Sequence, residues 1–194
     1  MNVLNSGRFG MGAVLGGTQK ELISRAVDFA KNRSQFGSQI YKFGAIQEKL
    51  ARMNAEQYAT EAVAYLVAMA MDNQATNFHL EAACSKIFAS EAAWRCADET
   101  IQTMGGMGYM FDQGVEKIMR DLRIFRIFEG TNDILRLMVG LSGLQSVGDE
   151  LKPVVDALKD VKAKQNMIGS AKTLISYRSV DCCGGGVFDI YLKF

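Results

Sequence analysis

The stretch FGAIQEKLARMNAEQYATEAVAYLVAMAMD, residues 43–72, decides the fold class. Its apolar side chains recur at steps of three and four residues, as Ile46, Leu50 and Met53 show. That spacing places them on one face of a helix, whereas a half-buried strand would alternate apolar and polar residues. The stretch therefore predicts one long amphipathic helix.

The same period recurs in three other stretches. It predicts helices over residues 15–33, 80–104 and 131–144, and a shorter helical turn over residues 115–123. Turn-forming Gly, Asn and Asp residues separate these stretches, and Thr131 is suited to cap the start of the last helix. Four helices with short connections and an apolar stripe on each predict an all-α fold, an antiparallel four-helix bundle.

The helical pattern weakens after Pro153, the only proline in the chain. We predict two parts, a helical bundle over residues 1–150 and a C-terminal part over residues 151–194. In the second part, residues 154–164 predict a short amphipathic helix. The remainder, which contains Cys182 and Cys183, shows no sustained period and predicts an irregular tail.

The composition excludes several classes of function. The chain has 194 residues, of which 48% are hydrophobic, so it can bury a sizeable core. A formal net charge of +1 argues against nucleic acid as a partner. We expect no transmembrane span, because no apolar run is long enough. The first 17 residues resemble neither a secretory signal nor an Arg-rich transit peptide, so we expect no targeting segment there.

Histidine and cysteine usage argues against a metal centre or a nucleophilic triad. His79 is the only histidine, and the four cysteines form no CxxC pair. A zinc site or a disulfide framework needs several such ligands at defined spacing. We therefore expect no metal, and we expect the cysteines to be reduced thiols.

Two charged residues stand out as candidates for chemistry. Arg8 is the only charged residue between Met1 and Gln19. It is either a functional residue or a solvated arginine at a helix start. Glu129 follows an apolar run and precedes a helix, so desolvation and the helix dipole act on its carboxylate in opposite directions. Such a residue is either a general base or a helix-capping glutamate.

Several motifs together resemble one known family. The signature of the acyl-CoA dehydrogenases resembles the segment Gln102-Thr103-Met104-Gly105-Gly106-Met107-Gly108-Tyr109, with Asp112, Lys117 and Asp121 after it. The family's catalytic segment is similar to residues 128–136, and its flavin-contacting turn is similar to residues 32–37. Residues 7–11, 43–53 and 90–94 resemble the very-long-chain branch. The likeness runs from about residue 2 to residue 148.

This resemblance implies a function and a set of site residues. The C-terminal domain of the family is a four-helix bundle, and its members dehydrogenate fatty acyl-CoA at the α,β bond with FAD. By resemblance, Glu129 is the catalytic base. The residues implied to bind the long-chain acyl-CoA are Asn5, Ser6, Gly7, Arg8, Phe128 and Gly130. Those implied to bind FAD are Arg33, Gln35, Phe36, Gln102, Gly105, Gly106, Thr131, Asn132 and Asp133.

The resemblance also implies partners and a location. Because FAD is shared between subunits in the family, we expect a homo-oligomer, a dimer or larger, with electron-transferring flavoprotein as the electron acceptor. The family resemblance implies a mitochondrial location. Members also have an N-terminal helical domain and a middle β domain, and the flavin ring lies between the β domain and the bundle. We therefore expect the bundle alone to bind FAD weakly. The alternative is a non-enzymatic helical interaction or assembly module.

Overall fold

The computed structural model of the protein describes residues 2–73 and 78–159. Six α-helices, two short strands and three 3₁₀ turns occur in this part of the chain. The helices are α1 Asn2–Asn32, α2 Gly44–Asp72, α3 His79–Met104, α4 Gly106–Tyr109, α5 Val115–Leu122 and α6 Asn132–Lys159. The strands β1 Ser34–Gln35 and β2 Ser38–Gln39 pair antiparallel, and the 3₁₀ turns are Ile40–Lys42, Phe111–Gln113 and Arg123–Arg126.

The all-α class predicted from the sequence is confirmed, and the predicted bounds of α2, α3 and α5 are each within one residue of the observed ones. Residues 1–140 form one compact unit, in which α1, α2 and α3 pack against one another. Its core consists mainly of small and branched apolar side chains. They include Leu15, Leu22, Ala26, Ala93 and Ala97, and the unbranched Met53 packs with them.

Helix α1 begins earlier than predicted. The sequence places its start near residue 15 because residues 7–17 are rich in glycine, a poor helix former. In the structure these glycines allow close helix packing. A Cβ atom on Gly12 would lie 2.5 Å from Ser85 Oγ of α3, and one on Gly16 would lie 3.4 Å from Glu61 Cγ of α2. Packing therefore outweighs the low helix propensity of this segment.

Helix α6 also extends further than predicted. The sequence suggests a break at Pro153 and a separate helix over residues 154–164, but α6 continues through position 153 to Lys159. Proline in a helix removes one backbone hydrogen bond, and it disfavours the helix without excluding it. Residues 160–194, including the predicted irregular tail with Cys182 and Cys183, lie outside the described residues.

The described residues 141–159 belong to a second unit, separate from residues 1–140. Its part of α6 exposes large apolar side chains, namely Leu141, Leu144, Val147 and Leu151. The domain boundary at residue 150 stays a prediction. No helix in the described ranges combines the length and the apolar character that a membrane crossing requires.

Gly108 gives a direct test of the packing at the end of α3. A Cβ atom at this buried position would lie 2.9 Å from Ile101 Cα and 3.0 Å from Met104 Cβ, so the Gly108→Ala variant forces backbone atoms apart. We expect it to lower the free energy of unfolding by about 1–3 kcal/mol, measured by urea denaturation. Gly106→Ala is the matched control, because nothing lies within 4 Å of its Cβ position. Equal stability of the two variants would contradict this packing.

Candidate active site

Glu129 lies in the turn between the 3₁₀ segment Arg123–Arg126 and α6. Its φ angle is +56°, a left-handed conformation that residues other than glycine rarely adopt, and Gly130 follows with φ +97°. The Glu129 side chain is partly buried, and its Oε2 atom is buried without a hydrogen-bond partner in the described part of the chain. A carboxylate oxygen of this kind is available to accept a proton.

The carboxylate lies against a glycine of α1. A Cβ atom on Gly7 would lie 3.3 Å from Glu129 Oε1 and 3.4 Å from Glu129 Cδ. The absence of a side chain at position 7 therefore makes room for the carboxylate. The next residue, Arg8, is only 7% exposed.

Two buried cations hold the backbone of this turn. Arg8 Nε donates a hydrogen bond of 3.1 Å to the Glu129 carbonyl oxygen. Lys86 Nζ, from α3, donates one of 2.7 Å to the Gly130 carbonyl oxygen. Neither cation makes a salt bridge with the Glu129 carboxylate within residues 2–73 and 78–159. The cations fix the backbone and leave the carboxylate oxygens unpaired with either of them.

Asn132 connects the turn to α3 through a buried network. Its Oδ1 accepts a hydrogen bond of 2.8 Å from Lys86 Nζ, and its Nδ2 donates to Ser90 Oγ at 3.0 Å and to Glu91 Oε1 at 3.1 Å. Arg136 completes the network with a salt bridge of 2.6 Å to Glu91 Oε1. The first turn of α6 is therefore fastened to α3 by polar groups.

The start of α6 also contains the residue predicted to cap it. Thr131 directly precedes the helix, and its carbonyl oxygen accepts the Leu135 N–H at 3.0 Å. The Thr131 hydroxyl donates to Asp133 Oδ2 at 3.4 Å. Thr131 thus occupies the predicted N-cap position. A capping side chain normally accepts a hydrogen bond from a backbone N–H of the first turn, whereas the Thr131 hydroxyl donates to the Asp133 carboxylate.

Lys86 was not predicted from the sequence, although it is fully buried. The signal for it was its place in the apolar stripe of α3, one turn from Ala82 and Ala89 and two turns from Ala93 in sequence spacing. Burial, and secondarily the nearby Arg8, lowers the pKa of Lys86 to about 8, while Glu129 and Glu91 act in the opposite direction. Ser90 and Glu91 were likewise missed as network members, since neither lies near the turn in sequence.

The lowered pKa of Lys86 predicts a pH dependence of stability. The lysine has a pKa of 10.5 when unperturbed and about 8 in the folded chain, so the unfolded state binds more protons between these values. Stability contributed by this residue therefore rises with pH from about 8 to about 10.5. We expect the free energy of unfolding of the wild type, relative to Lys86→Met, to increase over this range in urea titrations. A difference that is constant or falls with pH would contradict the burial of the charged amine.

Some of the residues predicted to contact the substrate lie around Glu129, and for the others the structure gives a position in the fold. Gly7, Arg8 and Gly130 surround Glu129, and a Cβ atom on Gly130 would lie 3.5 Å from Arg8 Nη2. The side chain of Asn5 is buried, and its Oδ1 is 2.8 Å from His79 Nδ1. Ser6 is exposed on α1. Phe128 is 40% exposed and packs edge-to-face on Phe125, with 5.2 Å between the ring centres.

The residues implied to bind FAD fall into three groups. Arg33, Gln35 and Phe36 are exposed on the β1–β2 hairpin, and Gln102, Gly105 and Gly106 are exposed at the end of α3. Thr131, Asn132 and Asp133 are at the start of α6, where Asn132 is buried by the network. Of the three groups, only the third follows the Glu129 turn directly in sequence. Within the described ranges, no group of three or more His, Cys, Asp or Glu side chains is placed to hold a metal ion.

Comparison with known proteins identifies the family. Residues 1–144 match the family model described as acyl-CoA dehydrogenase, C-terminal domain. The chain belongs to the acyl-CoA dehydrogenase family. It is 61% identical over 160 residues to the bovine protein named very long-chain specific acyl-CoA dehydrogenase, mitochondrial. That alignment covers 82% of this chain and 24% of the bovine protein, so the chain spans about a quarter of the relative's length.

Solved structures of acyl-CoA dehydrogenases share the fold. Butyryl-CoA dehydrogenase from Megasphaera elsdenii is 35% identical with a TM-score of 0.70, over 73% of this chain and 37% of that one. The acyl-CoA dehydrogenase of Bacillus anthracis, solved in complex with FAD, is 33% identical with a TM-score of 0.71, over 80% of this chain and 30% of that one. The resemblance inferred from the motifs, to the family and to its very-long-chain branch, is confirmed.

Proposed function

We propose that this chain provides the C-terminal helical domain of an FAD-dependent dehydrogenase that converts long-chain fatty acyl-CoA to the α,β-unsaturated thioester in fatty acid β-oxidation. The observation that supports the proposal most is the Glu129 carboxylate, which has a buried, unpartnered Oε2 atom beside Gly7. A mitochondrial location is proposed with it, since the bovine relative is named as mitochondrial.

Glu129 acts in this proposal as the general base. Its carboxylate takes the proton from the α-carbon of the thioester, and the electron pair of the broken C–H bond becomes the new α,β π-bond. FAD, when bound, supplies the acceptor for the hydride that leaves the β-carbon. The acidity of a thioester α-proton is low in water, so the base has to work in a site that excludes solvent and stabilises the developing negative charge.

The backbone of Glu129 offers one group for that stabilisation. Its N–H makes no hydrogen bond with any of the described residues, whereas the neighbouring Phe128 N–H donates to the Ile124 carbonyl oxygen at 3.2 Å. In the proposed reaction the Glu129 N–H donates to the thioester oxygen as charge develops there. The unusual φ of Glu129 would then serve to orient both the N–H and the carboxylate.

Residues around the turn are proposed to hold the substrate. Arg8 has a buried Nη1 atom without a partner in the described ranges, so it retains a donor for a polar group of the acyl-CoA. Gly7 and Gly130 leave space for the thioester to approach the base. Asn5, Ser6 and Phe128 complete the proposed set, with Phe128 supplying an apolar surface for the acyl chain.

The exposed groups of the hairpin fit the chemistry of FAD. The Arg33 guanidinium has no hydrogen-bond or ion-pair partner in the described part of the chain, and such a group binds pyrophosphate oxygens in pairs. Phe36 is 95% exposed, which leaves its ring free to pack on a ligand. We propose that Arg33, Gln35 and Phe36, with Gln102, Gly105 and Gly106, bind FAD of a second copy of the chain in a homo-oligomer.

The start of α6 is proposed to bind FAD of the same subunit. Thr131 and Asp133 present hydroxyl and backbone donors at the helix N-terminus, and Asn132 is fixed between them by the network to α3. Electron-transferring flavoprotein is the proposed acceptor of the electrons.

A chimera tests the function of this domain directly. In it, residues 1–144 replace the matching segment of the bovine relative, which is 61% identical to this chain. We expect the purified chimera to be yellow from bound FAD and to lose its flavin absorbance when palmitoyl-CoA is added without oxygen. A folded, colourless oligomer that does not respond to palmitoyl-CoA would overturn the proposal in favour of an interaction module.

A further inference from the structure

Lys86 is a buried cation to which the proposed reaction assigns no role. We propose, on the basis of the proposed function, that Lys86 is a positioning residue, which locks the Glu129–Gly130 turn onto α3 and so fixes the direction of the catalytic carboxylate.

The ammonium group of Lys86 donates its hydrogen bonds to the Glu129–Gly130 turn and to the start of α6. The residue has 0% exposure, and a buried charge is costly unless hydrogen bonds compensate for it. Among the described residues, its two acceptors are the Gly130 carbonyl oxygen and Asn132 Oδ1, at 2.7 and 2.8 Å. The compensation for burying Lys86 therefore comes from the segment that contains the proposed base.

The turn needs such a restraint because Gly130 is at its centre. Arg8 Nε holds the Glu129 carbonyl oxygen, which belongs to the peptide group before Gly130. Lys86 Nζ holds the Gly130 carbonyl oxygen, which belongs to the peptide group after it. With both peptide groups fixed, the rotations of Gly130 are restrained, and the left-handed conformation of Glu129 is maintained by its surroundings.

The charges around Lys86 come from each element packed on it. Arg8 of α1 is the cationic neighbour, Glu129 of the turn and Glu91 of α3 are the anionic ones, and Arg136 of α6 is paired with Glu91. Neither Lys86 nor Arg8 bonds to the Glu129 carboxylate in the described residues. The restraint therefore acts on the backbone and leaves the proton-accepting oxygen free.

Selective isotope labelling of the 194-residue chain tests the proposal without catalysis. Carbonyl-¹³C glycine combined with ¹⁵N threonine marks the only two Gly-Thr pairs, Gly130-Thr131 and Gly17-Thr18. The Gly130 carbonyl resonance is expected to show an inflection near pH 8, the pKa of Lys86, and the Gly17 resonance serves as the internal control. Lys86→Met is expected to abolish the inflection, and so is Lys86→Arg, because arginine does not titrate there.

Two further measurements connect the restraint with Glu129. Because Glu129 raises the pKa of Lys86, the Glu129→Gln variant is expected to move the Gly130 inflection to lower pH, whereas the surface variant Glu48→Gln leaves it in place. Hydrogen exchange at the Phe128 and Leu135 amides, which bracket the turn, is expected to be at least about tenfold faster in Lys86→Met, with partial recovery in Lys86→Arg.

The proposal is overturned by a Gly130 resonance that shows no titration dependent on Lys86, by an inflection that Glu129→Gln leaves unmoved, or by unchanged exchange in Lys86→Met. Each readout is independent of turnover. An inactive chimera with a normal Gly130 titration would therefore refute the proposed function and leave the restraint intact.

Discussion

Replacing Glu129 with glutamine in the chimera is expected to slow flavin reduction by palmitoyl-CoA by about 10²- to 10⁴-fold, the usual contribution of a general base. Glutamine has nearly the same shape and can occupy the same turn, but its amide cannot take the α-proton. Stopped-flow absorbance at the flavin band, under anaerobic conditions, measures the rate of the chemical step. FAD content should remain that of the unmodified chimera.

Glu48→Gln is the matched control for this experiment, since it removes an exposed carboxylate of α2 that is paired with Arg52. We expect it to leave the reduction rate within about twofold. If Glu129→Gln reduced the flavin at the rate of the control, Glu129 would be a helix-capping residue and another group would be the base.

Gly7→Val is expected to have the second largest effect on activity. A Cβ atom at position 7 would already lie 3.3 Å from Glu129 Oε1, and the branched methyl groups of valine would displace the carboxylate further. A displacement of about 1 Å in a reacting group costs roughly 10²-fold in rate, so we expect flavin reduction to slow by about 10- to 100-fold. The measurement is the same stopped-flow assay in the chimera.

Gly10→Val separates this effect from the cost of placing valine in α1. Gly10 lies on the same helix, and nothing is within 4 Å of its Cβ position. Both variants carry the same small gain in helix propensity, because valine is a better helix former than glycine. A rate loss in Gly10→Val equal to that in Gly7→Val would show that the helix, rather than the carboxylate, is disturbed.

The sequence was sufficient to predict the long helices, because their apolar period is regular. The period predicts the helix better than it predicts the buried face. In α2 the predicted stripe is buried at Met53, but further along the helix Tyr58 and Tyr65 are exposed and Ala64 and Val67 are buried. The first half of α1 could not be predicted in this way. Its glycines are explained only by contacts with residues distant in sequence, such as Ser85, and periodicity contains no information about those contacts.

For the candidate site, the sequence predicted Glu129 as the base but could not predict its backbone conformation or its contacts. Glu129 was recognisable by its apolar context and by family resemblance, whereas its left-handed φ and its unpartnered oxygen are properties of the fold. Lys86 was missed because a lysine is normally a surface residue, and its partners Gly130 and Asn132 are more than 40 residues away. Such pairings are visible only in three dimensions.

In the proposed reaction, the Glu129 carboxylate removes the α-proton of a fatty acyl thioester. Incorporation of deuterium at the α-carbon of a thioester in D₂O, followed by mass spectrometry, measures this proton transfer. We predict that the chimera catalyses the exchange and that Glu129→Gln slows it by at least about 10²-fold. Exchange at the same rate in the two proteins would contradict the claim.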